Sequence, residues 1–362
     1  MQTLVEHGVR VYAIAPPGSC ADKFKELGVT FVPFPMDRRT LNPIAGWRSM
    51  LKLSAMLKAL KPDLLQTFTL RPNLYGAIAG TKARVPVIIA TVTGLGSLYI
   101  EEGIKVRLIR RVLEHVMKRA LKKVQAVIFQ NRDDLAYFVN RKLCAPEKAF
   151  LIPGSGIDVN EFNSEKFSRE ARKLWRDRWG IPQDAVVVLM VSRLIRHKGV
   201  YEFIKAAERL QGKALFVLVG EPDPGNPASL TRQEVEDLSS RKVVLFPGWQ
   251  SDIAAWMAVA DIYVLPSYRE GLPRTVLEAM AMALPVVSTD VPGCREVVQH
   301  GKTGFLIPPR DVGALVKAIQ QLIENPNLRK EMGKQGREVV CKRFSTERII
   351  KEYFLVYNSL LS

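Results

Sequence analysis

Two glutamates stand eight residues apart in the stretch SYREGLPRTVLEAMAMALPVVSTD, which spans Ser267–Asp290. Between them, Gly271 permits a turn that a side chain would hinder, and Pro273 suits the first turn of a helix. Strong helix formers fill Arg274–Met282, so the stretch predicts a helix N-terminus. Free backbone N–H groups at such a terminus form an anion site suited to a phosphate.

The two glutamates of this stretch have the chemistry of ligand-binding groups. Glu278 lies about one turn inside the predicted helix, where its carboxylate can accept hydrogen bonds from a pair of ribose hydroxyls. Glu270 precedes the turn and can meet another part of the same ligand. Both carboxylates would also favour a helix start, where each contributes roughly 0.3–1 kcal/mol. This stretch alone therefore leaves ligand binding and helix stabilisation open.

A basic cluster, SRLIRHKG, begins at the end of the predicted strand Val186–Ser192. Arg193 and Lys198 in this cluster can neutralise a diphosphate leaving group, since arginine binds phosphate in a bidentate manner and lysine acts as a point charge. A solvated loop is the commoner fate of such a cluster. Two phosphate-binding strand ends in one sheet, however, favour a common cleft.

Short β-branched runs alternate with longer amphipathic segments, and a charged, irregular stretch at Asp158–Asp184 divides the chain into two halves. Near-continuous apolar strands separated by helices are typical of buried parallel sheets. The sequence therefore predicts an α/β protein of two doubly wound domains, with a ligand cleft at the carboxyl ends of the strands. The predicted strands are Val9–Ala15, Leu64–Thr69, Val87–Thr93, Ala126–Gln130, Val186–Ser192, Leu215–Val219, Val243–Phe246, Ile262–Leu265 and Val286–Thr289.

The composition excludes several classes of protein. With 362 residues, of which 47% are hydrophobic, the chain is expected to be a globular protein of about two domains. Its four cysteines are too scattered for a zinc site or a disulfide framework, and a reducing compartment is expected. The apolar runs fall far below the roughly 20 residues that span a bilayer, and no signal-peptide pattern opens the chain. The net charge of +17 predicts affinity for the phosphates of a nucleic acid, a nucleotide or an anionic lipid.

Much of the excess positive charge lies in the predicted helix Ile104–Val124, where eight lysines and arginines alternate with apolar residues. A basic amphipathic helix can lie on an anionic leaflet, and each cation near the surface adds about 1 kcal/mol. An ordinary surface helix with a solvated face is the competing interpretation. The hypothesis that follows is a cytoplasmic protein attached peripherally to the inner face of the cell membrane.

Taken together, these motifs resemble a known family. The run GLPRTVLEAMAMALPVVSTDVPGCREVVQHGKTGFLIPPRD, with YRE and SRLIRHKG before it, resembles the donor half of retaining glycosyltransferases of family 4, which have the GT-B fold. The spacing of Glu270 and Glu278 matches the E-x7-E motif of that family. The segments VTGLGSLY, FQNRDDLAYF and IPGSGID resemble the acceptor half of bacterial members that extend lipid-linked sugars. The resemblance implies two Rossmann-like domains that face a cleft.

The resemblance also implies domain limits and residue roles. Residues 1–160 would form the acceptor-side domain, joined by the C-terminal helix 346–362, and residues 161–345 the domain that binds the donor. Glu270 would meet the donor sugar as the catalytic residue, although no nucleophile paired with a base is apparent. Glu278 would hold the ribose, and backbone amides at the helix start would meet the phosphate. The implied donor-binding set is Arg193, Lys198, Glu270, Gly271, Leu272, Pro273, Arg274, Thr275 and Glu278.

Gly94 and Gly96 follow a predicted strand of the first half. Their exposed amides could hold the sugar or the diphosphate of an acceptor. A glycine pair after a strand is more often only a tight turn. The resemblance favours the binding role.

The function implied is the retaining transfer of a hexose or N-acetylhexosamine from a nucleotide diphosphate sugar, preferably a UDP-sugar, to a polyprenyl diphosphate-linked sugar. The family needs no metal, and the four histidines form no ligand cluster. No cofactor is expected apart from the nucleotide sugar as co-substrate. One alternative is a sugar-nucleotide epimerase of the same fold, which needs acid and base groups that the sequence does not identify. Another is a basic nucleic-acid-binding protein, but no aromatic-studded basic platform or reading helix is apparent, so no nucleic-acid partner is expected.

The first residues, MQTLVEHG, predict a helix that ends at Gly8 and leads into a strand. Members of the family open instead with a strand and a glycine-containing loop that faces the donor. The expectation is therefore that this chain lacks both elements, and that a sheet without its first strand is less stable and less active.

Overall fold

Strands and helices alternate through the computed structural model, which describes residues 1–18, 21–35 and 43–362. The elements of the first half are α1 (Gln2–Glu6), β1 (Tyr12–Ala15), α2 (Ala21–Glu26), β2 (Thr30–Pro33), α3 (Pro43–Leu60), β3 (Leu64–Phe68), α4 (Leu70–Ala83), β4 (Val87–Val92), α5 (Ile104–Leu121), β5 (Ala126–Phe129), α6 (Arg132–Asn140) and β6 (Ala149–Leu151). Strands β3, β4, β5 and β6 form a parallel sheet in that order, and β1 pairs in parallel with β2.

The second half is built on a six-stranded parallel sheet. Its elements are α7 (Arg169–Arg178), β7 (Val187–Val191), α8 (Val200–Arg209), β8 (Leu215–Val219), α9 (Arg232–Ser240), β9 (Val244–Gly248), α10 (Ile253–Ala258), β10 (Ile262–Leu265), α11 (Arg274–Ala281), β11 (Val286–Thr289), α12 (Cys294–Val297), β12 (Gly304–Ile307), α13 (Val312–Glu324), α14 (Pro326–Arg343) and α15 (Thr346–Leu361). The strand order is β12-β11-β10-β7-β8-β9. The predicted α/β fold with parallel sheets is confirmed.

The central strands are buried on both faces, as parallel sheets covered by helices require. Every residue of β4, β5, β7 and β10 is buried. On one face of the first sheet, Leu57 of α3, Ala77 of α4 and Met117 of α5 share one apolar core. On the other face, Ile349 and Val356 of α15 pack with residues of β4 and β5. The last helix therefore covers the sheet of the first half, while the predicted domain limits stay a prediction.

Several strand limits differ from the predicted ones. The first strand begins at Tyr12, not Val9. Strands β2, β6 and β12 were not predicted, because they are short and only partly buried, whereas the predicted four-residue strands β5, β10 and β11 are continuous, fully buried runs. Each of the three lies at the edge of its sheet, where pairing with one neighbour is enough.

The N-terminal segment forms the predicted helix α1, and Gly8 after it has a left-handed φ of 77°. Among the described residues, no hydrogen-bonded ladder joins β1 to β3, although Ile14 and Phe34 pack into the same core as Leu57. The expectation of a missing first strand stays a prediction. Cys144, Cys294 and Cys341 are free thiols, and Cys20 lies outside the described residues.

No helix in the part of the chain that the structure describes is both long enough and apolar enough to cross a membrane.

Candidate active site

The predicted helix N-terminus is that of α11, which follows strand β10. Pro273 occupies the N-cap position, and its carbonyl accepts hydrogen bonds from the N–H groups of Val276 and Leu277. In a helix the preceding amides, here those of Arg274 and Thr275, have no carbonyl one turn earlier to bond. Their N–H groups and the positive end of the helix dipole face out of the carboxyl edge of the sheet, which is the arrangement that binds a phosphate.

The basic cluster lies beside this terminus because β7 and β10 are neighbours in the sheet. Residues Arg196–Lys198 form a short 3₁₀ turn, and Gly199 after it has a φ of 75°. A Cβ on Gly199 would overlap the carbonyl oxygen of Pro266, so the turn lies directly against the end of β10. Glycine at this position therefore lets the two strand ends approach each other.

Lys198 and Glu270 meet at this point. The Nζ of Lys198 donates to Oε1 of Glu270 at 2.6 Å, and the side chains are only 21% and 11% exposed. In so shielded a place each charge stabilises the other more than it would in bulk water. The structure thus brings together the residues predicted to meet the donor diphosphate and the donor sugar.

Glu278 is buried on the first turns of α11, and its partner is Arg274. The Nε of Arg274 donates to Oε1 of Glu278 at 2.7 Å. Burial raises the pKa of the Glu278 carboxyl, and the Arg274 guanidinium lowers it. The Arg274 side chain of this pair is 59% exposed, whereas that of Glu278 is only 9% exposed. Sequence reasoning anticipated the backbone of Arg274 at the site but not this ion pair.

The Arg193 side chain lies toward strand β8, whereas Lys198 lies toward β10, on the opposite side of β7. Its Nη1 donates to Oδ2 of Asp223 at 2.6 Å, in the loop that follows the neighbouring strand β8. The two cations predicted to share one diphosphate therefore bond to different acids. The Arg193 side chain is 61% exposed, so it is free to reorient far more readily than Lys198.

The loop predicted to meet the donor, residues Glu270–Leu272 and hereafter the donor loop, lies against the first half of the chain. Gly94 lies against it, since a Cβ on Gly94 would lie 3.0 Å from Cα of Gly271, and a Cβ on Gly271 would overlap the carbonyl oxygen of Thr93. Gly96 has a φ of 72° and open space at its Cβ position. Gly94 is therefore needed for a close approach of two backbones, whereas the space beside Gly96 remains accessible to a ligand.

Two further strand ends complete this seat. The Nδ2 of Asn131, after β5, donates to the carbonyl oxygen of Gly271 at 2.7 Å. A Cβ on Gly154, after β6, would lie 2.6 Å from Cδ2 of Leu272. The loop seat, defined as Thr93–Gly94, Asn131 and Gly154, thus comes from the adjacent strands β4, β5 and β6.

Ion pairs surround the seat, and sequence reasoning missed them. Arg269 bonds to Asp134, which is fully buried at the start of α6. Toward the surface, Arg295 pairs with Asp133 and Glu296 with Arg132. The segment FQNRDD carries a local signal, since Asn131 is the N-cap residue of α6, but nothing local indicates partners about 135 to 165 residues away.

Residues 171–339 match the family described as Glycosyl transferases group 1, and residues 1–154 match the Glycosyl transferase 4-like domain. A relative from Campylobacter jejuni, N,N'-diacetylbacillosaminyl-diphospho-undecaprenol alpha-1,3-N-acetylgalactosaminyltransferase, is 31% identical over 361 residues, which cover 100% of this chain and 94% of the relative. The chain therefore belongs to this family of glycosyltransferases. The family resemblance predicted from the motifs is confirmed.

Other comparisons agree with this assignment. The UDP-Gal:alpha-D-GlcNAc-diphosphoundecaprenol alpha-1,3-galactosyltransferase of Escherichia coli is 27% identical over 314 residues, covering 85% of this chain and 78% of the relative. The crystal structure of Anabaena HepE in complex with UDP has a TM-score of 0.79 at 22% identity, covering 96% of this chain and 92% of that one. A glycosyltransferase from Rickettsia africae has a TM-score of 0.81 at 19% identity, covering 100% and 93%. The structural neighbours confirm the predicted fold.

Proposed function

We propose that this glycosyltransferase is a retaining enzyme that takes a hexose or N-acetylhexosamine from a nucleotide diphosphate sugar, in the first place a UDP-sugar. The observation that carries the proposal is the order of groups after strand β10: the Lys198–Glu270 pair, then the N-terminus of α11, then the buried Glu278 about one turn inside that helix. A carboxylate, free amides and a cation are thus available for a ribose, a phosphate and a departing diphosphate. The Anabaena neighbour was solved with UDP, which supports this type of donor.

The proposed acceptor is a sugar linked to a polyprenyl diphosphate. The names of the Campylobacter jejuni and Escherichia coli relatives both specify diphospho-undecaprenol acceptors, and their similarity extends over most of this chain. Gly96 is exposed after the carboxyl end of β4, with open space at its Cβ position, and the nearby Gly94 lies against the donor loop. This is where an acceptor diphosphate or sugar would bind, with Gly94 holding the donor loop close by.

In the proposed reaction, the bond between the anomeric carbon and the diphosphate oxygen breaks, and the diphosphate takes the electron pair. Lys198 and the amides of Arg274 and Thr275 stabilise the charge that develops on this group. An acceptor hydroxyl oxygen bonds to the anomeric carbon on the same face, and its proton leaves with the diphosphate. The cation and the helix N-terminus perform the neutralisation for which other transferases use a metal, so we propose a metal-independent reaction. Among the described residues, no three His, Cys, Asp or Glu side chains are grouped to hold a metal ion.

Replacement of Glu278 by alanine is expected to weaken UDP binding by about 10- to 100-fold, since it removes charged hydrogen bonds to the ribose. Isothermal titration of UDP measures the effect. The control is Glu208→Ala, because Glu208 is an exposed glutamate of α8 that pairs with Arg241. If the affinity of the Glu278 variant equals that of the wild type, Glu278 is not part of the donor site.

The transfer itself is tested by incubating the chain with a panel of nucleotide sugars and lipid-linked acceptors and determining product mass and anomeric configuration. Retention of configuration supports the proposal. An inverted product, or free epimerised nucleotide sugar in place of a transfer product, would refute it.

Helix α5 supports the proposed attachment to the inner face of the membrane. Its apolar residues Ile104, Leu108 and Val112 recur every four positions and are 81%, 61% and 59% exposed. Exposed lysine and arginine side chains flank them, and the opposite face buries Met117 and Leu121. An apolar stripe with basic flanks fits an anionic leaflet better than bulk water. Because α5 follows Gly96 after a short loop, the same surface would bring a lipid-linked acceptor close to the cleft.

The triple variant Ile104→Ser, Leu108→Ser and Val112→Ser is expected to reduce binding to vesicles containing phosphatidylglycerol by at least about 10-fold, since each apolar side chain contributes on insertion. Co-sedimentation at low salt measures binding. Leu174→Ser is the control, because Leu174 is equally exposed but lies on α7 in the second half. Undiminished sedimentation of the triple variant would exclude this stripe as the membrane contact.

A further inference from the structure

We infer that Asn131 and Asp134, on the first half of the chain, are positioning residues for the donor loop of the second half. They hold Gly271 and Arg269, the two neighbours of Glu270, and thereby set the direction of its carboxylate. The inference rests on the proposed function, in which Glu270 meets the donor sugar. Its basis is a set of contacts that are buried, polar and made between distant parts of the chain.

Asn131 is fully buried, and its side-chain amide makes three hydrogen bonds. Its Oδ1 accepts from the backbone N–H of Asp134 at 2.8 Å, which caps helix α6. Its Nδ2 donates to Oδ2 of Asp134 at 3.0 Å and to the carbonyl oxygen of Gly271 at 2.7 Å. Both amide hydrogens and the oxygen are therefore used. The helix cap accounts for the oxygen, but only the donor loop accounts for the second hydrogen.

Asp134 supplies the negative charge that holds Arg269 at the first half of the chain. It is 0% exposed, and its carboxylate bonds to Asn131 and to the guanidinium of Arg269. Burial raises the pKa of Asp134, and Arg269 opposes that change. A buried carboxylate with one cationic partner strongly disfavours separation from that partner. Arg269 is accordingly held at the first half of the chain although it follows β10 of the second.

The donor loop is held from the second half as well. The N–H of Glu270 donates to the carbonyl of Pro292 at 3.2 Å. Gly293, with a φ of 83°, lies so close that a Cβ there would be 2.7 Å from the carbonyl oxygens of Glu270 and Gly271. The backbone of Glu270 therefore has little freedom once Asn131 and Asp134 hold its neighbours.

The buried position of the Arg269 side chain has an energetic cost. In the part of the chain that the structure describes, Nε of Arg269 is buried and has no hydrogen-bond partner. A buried donor without a partner costs free energy, so the ion pair with Asp134 must more than offset that cost to hold Arg269 in place.

The residues proposed to bind UDP and the residues proposed to position the donor loop lie in different halves of the chain. The groups that would bind UDP, namely Lys198, Glu278 and the N-terminus of α11, all belong to the second half. Loss of the contacts from Asn131 and Asp134 should therefore lower the rate of transfer and leave UDP affinity nearly unchanged.

The experiment compares Asn131→Ser and Asp134→Asn with the wild type. Serine is a good N-cap and keeps helix α6 capped, but it is too short to reach the carbonyl of Gly271. We expect kcat for transfer to fall about 100-fold in each variant, as for a misplaced reacting group, with the UDP Kd changed less than about 3-fold. Melting temperatures verify that each variant is folded at the assay temperature.

Asp133→Asn is the matched control. Asp133 lies beside Asp134 on the same helix and pairs with Arg295, but both side chains are partly exposed. A screened surface pair contributes little, so this variant should transfer at nearly the wild-type rate. Undiminished kcat in Asn131→Ser and Asp134→Asn overturns the inference, and so does a loss of UDP affinity as large as the loss of rate.

Small-angle X-ray scattering separates this inference from the proposed function. If the wild type transfers no sugar from any donor, the proposed function fails, and scattering then tests the contact itself. The double variant Asn131→Ser, Asp134→Asn should have a larger radius of gyration than the wild type in the presence of UDP. Identical scattering curves would overturn the positioning role independently of activity.

Discussion

Alanine in place of Gly271 is expected to lower kcat for glycosyl transfer by at least about 100-fold, the usual effect of a misplacement of about 1 Å at a reacting centre. The added Cβ would overlap the carbonyl oxygen of Thr93 and would come within 3.0 Å of the backbone nitrogen of Gly94. Both atoms belong to the backbone, so no rotamer change can relieve the overlap. Either the donor loop leaves its seat or the two halves of the chain separate.

The binding of UDP should hardly respond to this change, because the groups proposed to bind UDP, Lys198 and the N-terminus of α11, belong to the second half of the chain, whereas Thr93 belongs to the first. We expect the UDP Kd of Gly271→Ala to stay within about 5-fold of the wild type. Steady-state kinetics and isothermal titration measure the two quantities separately. The combination of a large loss in rate and a small loss in affinity identifies the seat as part of the reacting arrangement.

Gly18→Ala is a suitable control for this experiment. Gly18 is exposed, its φ lies outside the left-handed region, and a Cβ there would meet nothing within 4 Å. It tests the general effect of exchanging a glycine for alanine. Full activity in Gly271→Ala would show that the donor loop does not lie on Thr93–Gly94 when transfer occurs.

Much of the fold could be predicted from the sequence, because each central strand is a short apolar run that is recognisable locally. The runs at β7 and β10 are hydrophobic throughout and that at β4 is interrupted only by Thr91, and burial on both faces favours just that pattern. Their carboxyl ends lie at one edge of a parallel sheet, so the placement of Lys198 and Glu270 could be predicted from strand ends alone. Their direct ion pair, which spans 72 positions, could not.

The contacts between the halves escaped prediction for a related reason. The bonds of Asn131 to Gly271 and of Arg269 to Asp134 join residues 140 and 135 positions apart. Hydrophobic periodicity specifies which side of an element is buried, but it does not specify which distant polar group it will meet. Gly94 illustrates the consequence: a glycine predicted for its amide is also required because another backbone lies against it.

Methionine in place of Lys198 is expected to reduce both the rate of transfer and the stability of the fold. The rate should fall by about 100-fold or more, the effect of removing one group that stabilises charge in a transition state. The loss of a charged hydrogen bond leaves Glu270, only 11% exposed, without its cation, which should cost about 1–3 kcal/mol in the free energy of unfolding. Steady-state kinetics and urea unfolding measure the two effects.

Arg196→Met is the matched control, because Arg196 lies in the same 3₁₀ turn but pairs with Glu234, away from the donor loop. Both side chains of that pair are substantially exposed, so its loss should change the free energy of unfolding by less than about 1 kcal/mol. The rate of transfer should remain near that of the wild type. An equal loss of rate in both variants would assign the effect to the turn as a whole.

The double variant Lys198→Met, Glu270→Gln separates the two roles of the pair. Removing both charges abolishes the unpaired buried carboxylate, so the free energy of unfolding should return most of the way to that of the wild type. The rate of transfer should not return, because Lys198 then no longer faces the departing diphosphate and the Glu270 carboxylate no longer faces the donor sugar. Recovery of both quantities would mean that the pair only stabilises the fold. Recovery of stability alone would mean that its charges act on the substrate.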